Sequence, residues 1–343
     1  MIGTWRFLLA ILVVIGHLYH PWWPATFGVF SFYIISGFLM TLVLNERYSF
    51  SAKGFLAFWI NRFLRLYPPY YAGVVFSVLI IMLIPREFVT GINIKLTFPD
   101  EWMEYITNFS ILGLENRVDR SSLVPSAWAL SIELVYYFVI SIWAGRSRRN
   151  GIIFLLGGAL YLMFIHYYKD SDWWYRYFHV GAGCLPFAVG VNIYFHLDRI
   201  KRCIDRLGWA SSLFISLSLY AACFLCAAVL GHEKTMFFYL NIITTSLLLP
   251  VLWVGVNVPI VKKLDARLGN LSYPIYLFHW QVGVLIAFIT GFTWKSTELF
   301  MTAFFVVTAL AWLESIVISG PVDRLRKRVR LDGRLAIGRP KHG

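Results

Sequence analysis

The chain has 343 residues, of which 59% are hydrophobic and only 14% charged, with a mean hydropathy of +0.65. Soluble domains carry about 25% charged residues, so this composition excludes a soluble enzyme and a disordered scaffold and leaves an all-α polytopic helix bundle in a lipid bilayer. The net charge of +13 does not signal nucleic acid, because the 31 Lys and Arg gather in short loops and between Arg324 and Lys341, where they orient helices and meet anionic headgroups. Apolar runs near 6–21, 24–45, 66–85, 126–144, 151–168, 179–196, 209–231, 236–256, 272–291 and 298–319 predict about ten transmembrane helices, each near the ~20 residues a bilayer needs.

The first run is short and follows Arg6 in the manner of a signal peptide. No small-x-small cleavage site comes after it, so it reads as a retained helix. With the amino terminus placed in the cytoplasm, 23 Lys and Arg fall on the inner side and eight on the outer. That bias supports ten spans with both termini cytoplasmic. Residues 1–320 then form the membrane domain and 321–343 a basic cytoplasmic tail. The long outer loop, 86–125, holds Glu87, Asp100, Glu101, Glu104, Glu115 and Asp119, and is expected to cap the outer end of the bundle with short helix and coil. Cys223 and Cys226 make a CxxC inside an apolar run; without a second pair they read as small hydrophobes, and no metal site is indicated.

Ionisable groups inside membrane segments are costly and are functional candidates. Arg6 and His17 share the first helix, eleven residues apart. Eleven residues advance a helix within ~20° of whole turns and ~16 Å along the axis, so both leave the same face. His17 is a base that can stay neutral deep in a bundle. His20 lies nearer the outer surface. Arg62 and Arg65, at i and i+3 in Arg62-Phe63-Leu64-Arg65-Leu66-Tyr67-Pro68, present two forks on one face at the cytoplasmic mouth, suited to a phosphate-rich ligand as well as to anchoring. Glu133, within Trp128–Tyr137, needs a partner in the fourth span; His17, Arg6 and a substrate hydroxyl are the candidates. Tyr273, Tyr276 and His279 step by three and form a polar-tipped stripe on the ninth span. Glu314 is a further acid, late in the tenth.

Together these segments resemble the acyltransferase-3 family of membrane O-acyltransferases. Arg6 to His17 is similar to its Arg-then-His signature, Phe32-Tyr33-Ile34-Ile35-Ser36-Gly37-Phe38-Leu39 to its FFxxSGFL stretch, and Arg62 to Pro68 to its RxxRxxP motif. Trp128 to Tyr137 resembles WxLxxExxxY, and Gly269 to Trp280 resembles LGxxSYxxYLxHW. The five stand in the family's order across nearly the whole chain. Two departures occur: the family's Glu-x-Pro near the end of the last helix reads Ser319-Gly320-Pro321, with Glu314 the nearby acid, and no Asp precedes the FFxxSGFL-like stretch.

The resemblance implies acyl transfer, acetyl first, from a cytoplasmic acyl-CoA to a hydroxyl of a surface or exported glycan or glycolipid, in the cytoplasmic membrane of a bacterium. Acetyl-CoA is then a donor substrate and no cofactor is held permanently. On the matching positions His17 is the catalytic base, Arg6 and Glu133 support it, and Arg62 and Arg65 bind the donor. Trp128, Tyr273, Tyr276 and His279 are the substrate-binding candidates. Glu133 would orient the His17 imidazole, and transfer could be direct or pass through an acyl-histidine. Some members carry a fused extracytoplasmic domain that this chain lacks, so the acyl group would pass on directly or to a separate protein. The competing reading is a transporter or flippase for a glycan or lipid-linked intermediate.

Overall fold

The structure, a computed structural model, describes residues 1–19, 23–116, 121–169, 172–231, 236–255 and 258–335. His20 and Asp119 lie outside the described residues. The described residues hold no strand. Their main helices in chain order are α1 Ile2–Leu18, α2 Pro24–Glu46, α3 Ala52–Leu83, α4 Arg86–Ile92, α5 Trp102–Ser110, α6 Trp128–Ile142 and α7 Arg148–Tyr168. There follow α8 Trp173–Tyr177, α9 Cys184–Phe195, α10 Leu197–Leu207, α11 Trp209–Leu230, α12 Met236–Val254, α13 Pro259–Thr290, α14 Thr297–Glu314 and α15 Gly320–Leu335. Among the described residues eight helices are long and apolar enough to cross a membrane, and α9 with α10, bent by 72°, would make a ninth. The shorter apolar α1, of 17 residues, completes a one-to-one match to the ten apolar runs. All four cysteines are free.

The chain folds as two compact units. The first comprises Met1–Val13, Trp23–Leu42 and Val135–Gly269. Without a hydrophobic drive between helices in lipid, small residues set how closely backbones approach. Here α2 and α9 cross on a pair of glycines: a Cβ on Gly37 would meet the Phe187 carbonyl oxygen at 2.3 Å, and one on Gly190 the Ile34 carbonyl oxygen at 2.2 Å. Phe27, Phe30, Tyr33, Phe187 and Phe238 fill the core around that crossing. The orphan amides at the start of α1 are satisfied by Asp265 of α13, whose carboxylate accepts from Gly3 N at 3.1 Å, Thr4 N at 2.7 Å and the Thr4 hydroxyl at 2.8 Å.

The second unit comprises Val14–Trp22, Val43–Leu134 and Asn270–Gly343, with α3 as its spine. Ser51 caps α3, accepting from Gly54 N. Pro68 and Pro69 withdraw two N–H donors from its ladder. In the same turn the Tyr273 hydroxyl donates to Leu66 O at 2.8 Å, joining α13 to α3.

The 86–125 segment does more than the expected capping. α4 and Leu96 pack on Ile80, Ile84 and Val284 at the C-terminal end of α3. From there α5 runs back along the spine. Tyr67, Tyr70 and Tyr71 donate their hydroxyls to the carbonyls of Ser110, Asn108 and Phe109 at 2.7, 2.6 and 2.9 Å. Those tyrosines precede Leu83 by twelve to sixteen residues, ~18–24 Å of helix. The last carbonyls of α5 have no partner within their own helix; the three phenols supply donors to them. The outward face of α5 is apolar, with Trp102 70% and Phe109 71% exposed, while Glu104, Thr107 and Asn108 face inward. Ile111 ends the helix in the left-handed region at φ 69°, a conformation a β-branched residue adopts only under constraint.

Candidate functional site

His17 occupies the last turn of α1, and His279 the middle of α13. His17 Nδ1 and His279 Nε2 are 2.8 Å apart. The ring planes differ by 6° with centroids 5.0 Å apart, the geometry of two coplanar imidazoles joined edge to edge by a hydrogen bond. On its far side His279 Nδ1 lies 2.8 Å from the Tyr276 carbonyl oxygen. A carbonyl only accepts, so His279 Nδ1 carries the hydrogen. A neutral His279 then presents a lone pair at Nε2, and His17 Nδ1 must donate to it. The relay therefore assigns the tautomer of His17: its Nε2 carries a lone pair and no hydrogen. His279 is 0% exposed with both nitrogens engaged, whereas His17 is only half-buried.

The surroundings hold this pair in place. The Trp280 ring lies 5.0 Å from His17, and Trp294, from the turn before α14, stacks on Trp280 at 5.6 Å. Gly283, one turn beyond His279, makes room for them: a Cβ there would lie 2.6 Å from Leu18 and 3.0 Å from Trp294. The level of Tyr276 is fixed by the 3-10 turn Pro125–Ala127, where Ser126 Oγ donates to Tyr276 O at 2.9 Å and the Tyr276 hydroxyl donates to Ser126 O. Trp128, half-buried, begins α6 directly after that turn.

Glu133 was expected to pair with His17, Arg6 or a substrate hydroxyl; in the structure the partner of His17 Nδ1 is His279. Glu133 sits half-buried on α6, two residues beyond Ser131, whose hydroxyl accepts from Gly113 N at 2.9 Å and donates to the buried Glu115. His279, expected to touch substrate, has no ring nitrogen left for it. Tyr273 and Tyr276 direct their hydroxyls to the backbone carbonyls of Leu66 and Ser126. Arg6 lies half-buried in the first unit.

A second polar cluster surrounds the N-terminal half of α3. Asn61 Oδ1 accepts from Arg62 Nη2 at 3.1 Å and from Arg326 Nη2 at 3.2 Å, and Asn61 Nδ2 donates to Arg326 O at 3.2 Å. Arg326 also pairs with Asp323. It is 4% exposed, so α15 packs on α3 through a buried arginine. Arg65, Arg326, Tyr273, Asn270 and Ser319 line one narrow crevice. Sequence reasoning found Arg62 and Arg65 but missed Arg326, one of eight basic residues beyond Pro321 with no local feature to single it out. No group of three or more His, Cys, Asp or Glu among the described residues is placed to hold a metal ion.

Comparison with known proteins identifies the family. The family model described as an acyltransferase domain, acyltransferase-3, matches residues 2–316. Nodulation protein 10 of Rhizobium leguminosarum bv. viciae is 24% identical over 318 residues, covering 87% of this chain and 82% of that protein. O-acetyltransferase OatA of Staphylococcus aureus is 23% identical over 315 residues, 82% of this chain and 50% of that protein, so the chain spans about half of it. No solved structure gives a significant match. With nearly its whole length matched, the chain belongs to the acyltransferase-3 family and is a multi-pass membrane O-acyltransferase.

Proposed function

We propose that the chain moves an acyl group, acetyl in the first instance, from a cytoplasmic acyl-CoA to a hydroxyl of a surface or exported glycan, in the cytoplasmic membrane of a bacterium. The observation that carries this reading is the relay Tyr276 carbonyl–His279–His17, which ends in an unprotonated Nε2 on a half-buried imidazole. His17 Nε2 takes the proton of the acceptor hydroxyl while its oxygen attacks the thioester carbonyl. The tetrahedral intermediate collapses, the C–S bond breaks, and the thiolate of CoA leaves with the proton that His17 returns. While His17 is doubly protonated its Nδ1–H keeps donating to His279, which holds ring and charge through the reaction as the carboxylate does in a Ser-His-Asp triad.

The donor's phosphates suit the arginine cluster at the basic end of α3, where planar forks hold phosphate bidentately. The excess of Lys and Arg in the loops on that side supports a cytoplasmic position for it. The half-buried indoles of Trp280 and Trp294 beside His17 offer apolar faces to the acceptor. Purified chain given acetyl-CoA and an envelope glycan extract should release free CoA thiol. Arg65→Ala should raise KM for acetyl-CoA by about tenfold or more with kcat little changed, one lost charge-assisted hydrogen bond. Acceptor-independent thiol release, or none, contradicts the proposal.

A further inference from the structure

A second cavity lies on α3 and α13, which also line the arginine crevice, and on α14. This cavity, about 250 Å³, is lined by Ala72 and Phe76 of α3, Phe278 of α13, and Leu310, Glu314 and Val317 of α14 and the turn after it. Along α3, Arg65, Ala72 and Phe76 are spaced by seven and four residues, so they share one face over ~16 Å. Along α13, Pro274 of the crevice is followed one turn later by Phe278 of the cavity. The chain of α14 runs the other way, which puts Ser319 at the crevice and Glu314 and Leu310 successively deeper. The two cavities thus follow one another along α3 and α13, the first polar and basic and the second apolar. Phe278, in the lining of the second cavity, directly precedes His279 in the chain.

One feature of the apolar part is out of character. Glu314 is only 5% exposed. Its Oε1 accepts from the Ser319 hydroxyl at 2.8 Å, across a single π-helical turn, Ser315–Ser319. Its Oε2 is buried with no hydrogen-bond partner. A buried oxygen left unpaired costs ~1–3 kcal/mol, and π-turns inside α-helices occur frequently at functional sites.

We propose that this cavity takes the pantetheine arm of the acyl-CoA, with Glu314 Oε2 accepting a hydrogen bond from one of the arm's amide N–H groups. The inference rests on the acyl-CoA reading above. The arm is a flexible methylene chain interrupted by two amides. Its N–H groups need acceptors once they leave water, and Glu314 needs a donor. Its phosphate end belongs at Arg65 and Arg326, and its thioester end emerges beside the His279–His17 pair. A lipid tail entering the same groove would leave Oε2 unpaired.

The test is binding of two probes, CoA and adenosine 3′,5′-bisphosphate, which lacks the arm, to the full chain in detergent or nanodiscs. Glu314→Ala should weaken CoA about tenfold or more, the size of one hydrogen bond to a charged oxygen, and leave the nucleotide unchanged. Glu314→Gln, which keeps an acceptor oxygen, should lose less. Ala72→Phe, which fills the cavity without touching Glu314, should also weaken CoA selectively. If wild-type chain binds neither probe, the acyl-CoA reading itself is overturned. If wild type binds both and Glu314→Ala leaves CoA unchanged, or weakens both probes equally, the pantetheine site is overturned and the donor reading stands.

Discussion

His17 and His279 are 262 residues apart in the chain and share a hydrogen bond of 2.8 Å. Each was visible in the sequence as a polar group in an apolar run, but nothing local in either segment pairs them. The usual carboxylate partner of a catalytic histidine made Glu133 the natural expectation, whereas the structure sets a second imidazole at His17 Nδ1. A neutral histidine backed by a carbonyl fixes a tautomer without placing a full negative charge in the membrane, where an ionised carboxylate is costly. If His279 acts by holding His17, His279→Ala lowers kcat by about 10²-fold or more while KM for acetyl-CoA stays nearly constant. His279→Gln, whose amide oxygen can still accept from His17 Nδ1, recovers part of that loss. A drop confined to KM, or equal loss in both variants, would assign His279 to substrate binding or to structure.

Helices and their contacts show where composition is a good guide and where it is not. Ten apolar runs marked the expected spans, and the structure has a helix over each; among the described residues eight are long and apolar enough to cross a membrane, α9–α10 would make a bent ninth, and α1 is shorter. The 86–125 segment is polar and acidic, so its composition suggested a cap in water. The donors that draw α5 back along α3 are three tyrosines on a different helix, a non-local term that no reading of the loop contains. Tyr70→Phe, at the buried member of the three, should lower thermal stability by ~1 kcal/mol or more, a net hydrogen bond plus an orphaned carbonyl. Tyr71→Phe, at the exposed member, should cost less. Equal and negligible shifts in a detergent melting assay would show that α5 is held by something else. Likewise Gly190→Ala forces a methyl onto the Ile34 carbonyl oxygen at the crossing of α2 and α9. It should destabilise the fold by ~1–3 kcal/mol and reduce the yield of folded protein. Unchanged yield and melting would show that the crossing tolerates separation.

In the molecule as a whole the chemistry concentrates in the second unit. It holds the histidine pair, the indoles beside it, the crevice of Arg65 and Arg326, and the cavity of Glu314. The motifs of the sequence named most of these residues; the buried arginine of α15 and the cavity beside Glu314 emerged only from packing. The account as a whole requires that His17 performs group transfer. Mass spectrometry of surface glycans tests this most directly, in cells from which the chain has been deleted and then restored as wild type or as His17→Ala, with equal amounts of membrane-inserted protein. The account predicts an acetyl mass that disappears on deletion, returns with wild type and stays absent with His17→Ala; return of that mass with His17→Ala would contradict it.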